Sequence, residues 1–156
     1  MGIVEEQLRR IDALSETIED EAKKIVIANM DAIISILEKK QLGIGLNSSG
    51  GPLSWAYGDG TYAKRTEEIA KTEFTVEPKK EGEPYNFQWT GGTFNGLNLK
   101  TLSKNKYSIF STDGKAAFLR KTYGIIFDLT KENNDLVNDT IIEPGLVIYI
   151  EDNWWR

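Results

Sequence analysis

The chain contains neither cysteine nor histidine. The absence of cysteine excludes disulfide bonds, thiolate metal sites and cysteine nucleophiles. The absence of histidine removes the side chain that most often moves protons near neutral pH and, with the missing thiolates, the usual zinc ligands. An enzyme of this composition would have to work with carboxylates, so both absences argue against a metalloenzyme or a histidine-dependent hydrolase.

The chain also has no long apolar run and no excess of positive charge. No stretch approaches the roughly 20 apolar residues that cross a bilayer. Val4 is followed directly by Glu5 and Glu6, so the sequence predicts neither a membrane span nor a signal peptide. A formal net charge of -5 argues against a protein whose main task is to coat nucleic acid, because phosphate neutralisation needs basic side chains. We expect the chain to stay in the cytoplasm where it is made.

The 156 residues, 40% of them hydrophobic and 28% charged, suit a single domain over residues 1–156 with a modest core. Apolar residues at spacings of three and four predict an amphipathic helix over residues 3–41. As one piece it would be about 55 Å long, which is more than a domain of this size covers. Either it breaks near Ser15 or Thr17, both possible N-caps, or it buries part of its apolar stripe against another chain. The stripe comprises Val4, Leu8, Ile11, Leu14, Ile18, Ala22, Ile25, Asn29, Ile33 and Ile36.

Residues 43–60 are rich in glycine and small polar residues, which predicts a flexible loop or a pair of turns. A phosphate-binding loop is not predicted, because the strand before it, the helix after it and the lysine at a fixed offset are all missing. Trp55 and Tyr57 lie in this loop, where aromatic side chains can act as anchors that become buried against a partner. The alternative is that both fold back onto their own core.

The remainder, residues 61–150, predicts an α+β body. Residues 66–72 suit a short helix, and residues 71–76 alternate as a strand would before Pro78. Residues 77–84 mix proline and glycine with charges, which predicts a solvated turn or a disordered tip in which no core forms.

A β-hairpin is predicted after the glycine pair at 91–92. Residues 94–99 alternate, and residues 104–106 supply a turn. The alternating residues are Leu97, Leu99 and Thr101 on the first strand and Tyr107, Ile109 and Ser111 on the second.

The segment 112–129 predicts a helix followed by a buried aromatic and aliphatic plug. Thr112 or Asp113 caps the helix, and Gly124 ends it. The apolar residues of the helix are Ala116, Phe118 and Leu119. The residues that pack underneath it are Ile125, Ile126, Phe127 and Leu129.

A second helix is predicted to start at Thr130, which is followed by Lys131, Glu132 and Asn133. Its apolar residues are Leu136, Val137 and Ile141. Pro144 kinks or ends it. Residues 145–156 are either a continued helix or a terminal strand, because their β-branched residues favour a strand and their attachment to a helical pattern favours a helix.

Residues 89–100 and 107–137 resemble a family of small virion proteins in tailed bacteriophages. The resemblance is strongest to the crAss-like type and looser to neck, head-tail joining and tail-completion proteins. The shared pattern is Thr-Gly before an aromatic and a strand, a hairpin return ending in Ser-Thr-Asp near a lysine, then Tyr-Gly, Ile-Phe and Leu-Thr before a helix. The matching residues are Thr90, Gly91, Phe94, Ser111, Thr112, Asp113, Lys115, Leu119, Tyr123, Gly124, Ile126, Phe127, Leu129 and Thr130. The second glycine of "TGGTF" and the segment "PKKEGEPYNFQW" depart from the pattern.

The resemblance implies a structural protein of the head-to-tail region, assembled as a closed ring of identical subunits beneath the portal and around the DNA. Its partners would be other copies of itself and the neighbouring portal, neck and tail proteins, with DNA only as passing cargo and no membrane. It would be assembled in the host cytoplasm, reside in the virion, carry out no catalysis and need no cofactor or metal. The residues given a structural role by the motif are Thr90, Gly91, Phe94, Asp113, Tyr123, Gly124 and Phe127.

An exposed apolar stripe and loops that order upon docking suit such a ring. The residues expected at its contacts are Trp55, Tyr57, Trp154 and Trp155. Two other classes stay open: an adaptor that uses the 43–60 loop to hold a peptide or glycan, and a carboxylate enzyme. The carboxylates available to an enzyme are Asp59, Glu67, Glu68 and Asp113. Their spacing predicts no paired acid and base, and Asp113 also suits a helix cap or a turn.

Overall fold

A computed structural model describes residues 3–54, 58–102 and 106–154. The fold is α+β, as predicted, with helices around a two-stranded antiparallel sheet. Along the chain lie α1 (Ile3–Ala28), α2 (Met30–Lys40), a 3₁₀ turn (Leu42–Ile44), α3 (Lys64–Ala70), α4 (Gly92–Asn95), β1 (Leu97–Thr101), β2 (Tyr107–Ser111), α5 (Ala116–Tyr123), α6 (Lys131–Val137), a π-helical turn (Asn138–Ile142) and α7 (Glu143–Trp154). Among the described residues, no helix combines the length and the apolar character needed to span a membrane.

The N-terminal helical stretch is interrupted at Asn29 and not at Ser15 or Thr17, which both lie inside α1. Thr17 Oγ1 donates a 2.6 Å hydrogen bond to the carbonyl of Ala13, so this hydroxyl is satisfied within the helix and caps nothing. Asn29 has φ -110° and ψ 21°, and its Nδ2 donates to the carbonyl of Ile25 at 2.8 Å. A side chain that competes for the backbone carbonyl of the preceding turn bends a helix, so α1 and α2 meet at a bend.

The core forms where α2 meets the hairpin and the segment from α5 to α6. Leu99 and Ile109 pair directly across the hairpin, and the residues predicted for its two strands lie in β1 and β2. In β1, Leu97 and Leu99 are buried while Asn98 and Lys100 are exposed, as alternation requires. The fully buried apolar side chains are Ile33, Leu37, Leu42, Leu53, Ile126 and Val137.

The C-terminal stretch is helical to Trp154, which resolves the choice between helix and strand. The helix predicted from Thr130 is α6, and Thr130 is its N-cap, because its Oγ1 accepts from the backbone N–H of Asn133 at 3.2 Å. Pro144 does not end the helix, because α7 continues past it to Trp154. A proline ring clashes with the carbonyl four residues before it, and the chain has a wider π-helical turn at Asn138–Ile142 just ahead of it.

Several local predictions are wrong. Residues 71–76 form a turn followed by irregular backbone instead of a strand, and Phe74 is 83% exposed. Phe94 belongs to the short helix α4, so the strand begins only at Leu97. In α5 the buried face is set by Ala116, and Phe118 points away from it with 65% of its surface exposed.

The start of α5 also differs from the prediction, whereas its end agrees with it. Neither Thr112 nor Asp113 is the N-cap, since α5 starts at Ala116. Asp113 instead holds the preceding turn, where its Oδ1 accepts from the N–H of Lys115 at 3.0 Å. Gly124 ends the helix as predicted, with φ +77°. The next residue, Ile125, is 65% exposed and does not join the plug.

Candidate functional site

The first candidate surface is formed by α1 and α7, and we call it the helical surface. Described side chains in the first part of α1 are exposed, and Leu8 shows 55% of its surface. Burial begins at Leu14, which is half-buried, and is nearly complete at Val26. The apolar stripe of α1 therefore extends beyond the part of the helix that its own body covers.

The helix α7 packs closely on α1. A Cβ atom on Gly145 would lie only 2.8 Å from Ile25 Cδ1, so the absence of a side chain at 145 permits this approach. Residues 146–150 of α7 are apolar or aromatic without interruption. Because a helix with apolar residues all round cannot hide them against one neighbour, Val147 and Ile148 stay 47% and 60% exposed.

A groove of about 230 Å³ lies beside this helix pair. Apolar side chains from α1, the hairpin and the C-terminal helices line it, among them Ile18, Val26, Tyr107 and Leu146. The helical surface thus combines exposed apolar side chains with a shallow apolar depression.

The second candidate surface is the aromatic cleft, which we define by Tyr62, Tyr85, Phe87, Trp89 and Tyr123. Its volume is about 350 Å³. The Tyr62 and Tyr85 ring centroids lie 5.1 Å apart, those of Tyr85 and Tyr123 6.1 Å, and those of Phe87 and Tyr123 4.9 Å. All three pairs are edge-to-face, the arrangement favoured by the ring quadrupoles. Four of the rings, those of Tyr62, Tyr85, Tyr123 and Phe87, thus form one continuous row, and Trp89 also lines the cleft.

Burial raises the pKa of the Tyr62 and Tyr123 phenols, because the charged phenolate would lose its hydration there. Tyr62 Oη donates to Asn86 Oδ1 at 2.9 Å. Within the described part of the chain, neither Tyr85 nor Tyr123 has a hydrogen-bond partner for its hydroxyl. These two hydroxyl groups are free to bind something else.

Polar groups also line the aromatic cleft. Thr93 Oγ1 donates to Asp113 Oδ2 at 3.1 Å, and the N–H of Lys115 donates to Oδ1 of the same carboxylate. A Cβ atom on Gly92 would stand 3.1 Å from Asp113 Oδ2, so the close packing of the two turns uses a glycine. Thr90, Asp113 and Lys115 all line the cleft.

The structure therefore brings part of the predicted motif together at the cleft, namely Thr90, Asp113 and Tyr123. Gly91, with φ +76°, is the adjoining turn residue ahead of α4. Phe94 and Phe127 lie in the core at 8% and 4% exposure. Gly124 is exposed at the end of α5.

The irregular segment that supplies three of the five rings of the cleft is held by Lys79 and Asn86, which sequence reasoning missed. Lys79 is 3% exposed, although it lies in a stretch predicted to form no core. Its Nζ donates to Asn86 Oδ1 at 2.8 Å and stands 5.6 Å from the Tyr62 ring centroid. Desolvation lowers the pKa of Lys79. No periodic pattern marks these residues, because the segment has no regular secondary structure.

The predicted contact residues are not covered by the structure. Trp55, Tyr57 and Trp155 lie outside the described residues, as does the side chain of Trp154. Their role at subunit contacts stays a prediction.

The other carboxylates considered for catalysis are engaged locally or lie at the surface. Asp59 Oδ1 accepts from the hydroxyl and the N–H of Thr61 at 2.7 and 2.9 Å, and these bonds lower the pKa of Asp59. Glu67 Oε1 pairs with Lys71 Nζ at 2.7 Å, and Glu68 is exposed. The described residues contain no group of three acidic side chains placed to hold a metal ion.

Comparison of the chain with protein-family models, with curated proteins and with solved structures gives no match.

Proposed function

We propose that this chain is a structural protein that assembles with copies of itself through the helical surface. The observation that carries the proposal is the exposure of apolar residues on both helices, with Leu8 at 55% and Ile148 at 60%. Burying such side chains removes apolar area from water at roughly 25 cal/mol per Å². Contiguous exposed apolar patches mark interaction sites in soluble proteins, and these side chains together with the adjoining groove would form such a patch.

The contact between copies would be heterologous. The exposed start of α1 and the exposed side of α7 are different parts of the helical surface, so one would meet the other on the next copy. Head-to-tail contacts of this type close into rings when the rotation between neighbours allows it. A closed ring is accordingly the assembly we propose.

The site of action we propose is the head-to-tail region of a tailed phage particle. This part of the proposal rests on the resemblance of residues 89–100 and 107–137 to small virion proteins of that type. The net charge of -5 is compatible with a ring around passing DNA, since a wall that binds phosphates weakly does not stall its movement.

The experiment replaces Leu8 and Ile148 by glutamine, which removes apolar surface while keeping good helix propensity. Loss of two such contacts should weaken association at least tenfold, because each buried Leu or Ile contributes about 1.5 to 3 kcal/mol. Light scattering after size exclusion, over a range of concentrations, measures the mass. The control is Phe74→Gln, which alters a side chain that is 83% exposed away from both helices.

A wild-type chain that stays monomeric at high concentration would contradict self-assembly, and so would an unchanged mass in the Leu8→Gln/Ile148→Gln variant. The phage assignment is tested separately. Mass spectrometry of purified particles from a host that carries this gene should detect the chain, and its absence from mature particles would end that assignment.

A further inference from the structure

We infer that the aromatic cleft is a binding site for a neutral saccharide. This goes beyond self-assembly and does not depend on it, because the cleft and the helical surface share no lining residue. Its volume of about 350 Å³ falls in the range of small-ligand sites, about 300 to 1,000 Å³. Such sites are mainly apolar with a few convergent polar groups, which is also the composition of this cleft.

The apolar part of the site is the row of rings. The C–H face of a pyranose ring is apolar and flat, so it can pack against the exposed faces of aromatic rings. Tyr62, Tyr85, Phe87, Trp89 and Tyr123 are all half-buried, so each retains surface for a ligand. A set of rings that served only the core would be expected to be buried more completely.

The polar part of the site combines acceptors and donors. Asp113 uses two of its roughly four lone-pair positions on Thr93 and Lys115 and keeps the remainder. The phenol groups of Tyr85 and Tyr123 have no partner in the described ranges. The cleft can therefore both accept hydrogen bonds from a ligand and donate them to it.

The charges favour a neutral ligand over an ion. Asp113 and Lys115 line the same cleft, so a cation would meet a like charge at Lys115 and an anion would meet one at Asp113. A sugar hydroxyl both donates and accepts, so neighbouring hydroxyls can satisfy the carboxylate and the ammonium group together. For a ligand of one sugar ring, we expect a dissociation constant on the order of millimolar.

The test is a titration of the full chain with sugars, in which amide NMR shifts report binding. The probes are glucose, galactose, N-acetylglucosamine and the trisaccharides maltotriose and chitotriose, each added to about 50 mM, well above the expected constant. We expect at least one probe to shift residues 85–93 and 113–123, with the trisaccharide of that sugar binding more tightly than the single ring. Choline is the cationic comparison probe.

Matched Tyr→Phe variants separate a binding role from a structural one. Tyr123→Phe removes a hydroxyl with no partner among the described residues, so it should keep the melting temperature and weaken sugar binding several-fold. Tyr107→Phe removes a hydroxyl that donates to Asn134 Oδ1 at 3.0 Å outside the cleft, so it should lower the melting temperature and keep sugar binding.

The inference is overturned if no probe sugar shifts the cleft residues, if choline binds in preference to every sugar, or if Tyr123→Phe binds as the wild type does. The Leu8→Gln/Ile148→Gln variant should bind sugar unchanged. A failure of self-assembly with intact sugar binding, or the reverse, therefore tells the two proposals apart.

Discussion

At the scale of single residues, Gln41 is the most connected polar side chain of the core. It is fully buried at the end of α2, where its Nε2 donates to the carbonyl of Asp128 at 2.8 Å. Its Oε1 accepts from the N–H of Thr130 at 2.9 Å and from Asn133 Nδ2 at 3.3 Å. One amide thus joins α2 to the start of α6, and both its nitrogen and its oxygen are hydrogen-bonded.

Replacing Gln41 by leucine should lower the free energy of unfolding by about 2 to 4 kcal/mol, because the N–H of Thr130 and the buried side-chain amide of Asn133 would lose their acceptor. Urea denaturation measures the change. Ser48→Ala is the control, since Ser48 Oγ donates to the carbonyl of Asp128 at 2.6 Å from a position that water can reach. If both variants lost equal stability, burial of the amide would not be the cause.

Phe127 and Phe118 form a second matched pair at this scale. Phe127 is 4% exposed and Phe118 is 65% exposed. Phe127→Ala should cost about 3 to 5 kcal/mol through the cavity it leaves, whereas Phe118→Ala should change stability by less than about 0.5 kcal/mol. Thermal melts recorded by circular dichroism measure both changes. A larger loss of stability in Phe118→Ala than in Phe127→Ala would contradict the exposed position of Phe118.

At the scale of elements, the regular pieces follow from local patterns and the irregular ones do not. The hairpin follows from alternation, and the start of α6 follows from the capping residue Thr130. The segment 71–89 has no period, and it is held by contacts such as that of Lys79 with Asn86. Sequence reasoning placed the hairpin correctly and gave a strand in 71–76 where none forms among the described residues.

The turn after the 3₁₀ helix offers a prediction that isolates one contact. Gly45 and Gly50 have nearly equal φ, +81° and +79°. A Cβ atom on Gly45 would lie 2.5 Å from Pro84 Cβ, whereas one on Gly50 would meet nothing within 4 Å. Gly50→Ala should cost about 1 to 2 kcal/mol for the left-handed backbone alone.

Gly45→Ala should cost about 1 to 3 kcal/mol more than Gly50→Ala, because overpacking is added to the same backbone term. Urea titrations of both variants give the difference directly. Equal losses would mean that the segment at Pro84 can move away without cost.

At the scale of the whole molecule, buried phenols make stability depend on alkaline pH. Burial raises the pKa of Tyr62, Tyr107 and Tyr123 above the ordinary value of 10.0. In the unfolded chain these groups lose their protons first, so the folded state binds more protons above about pH 10 and stability falls as pH rises. Lys79 acts oppositely, since its pKa is lowered from 10.5 and stability rises with pH across that interval.

We therefore expect a shallow gain in melting temperature as the pH approaches 10 and a steeper loss above it. Circular dichroism melts and phenolate absorbance, recorded on the same samples, measure both. Tyr123→Phe removes one of the titrating phenols and should reduce the alkaline loss. A melting temperature that stays constant from pH 9 to pH 12 would contradict the burial of these phenols.

The sequence by itself determined the α+β class, the helical nature of the N-terminal stretch, the paired residues of the hairpin strands, the helix start at Thr130 and the stop at Gly124. These follow from contacts between residues close along the chain, so a short window contains their cause. Tertiary structure decided that Phe118 is exposed and Phe127 buried, that Gln41 joins α2 to α6, and that aromatic rings from 62 to 123 line one cleft. Burial and long-range hydrogen bonds depend on which elements meet, and no local pattern contains that information.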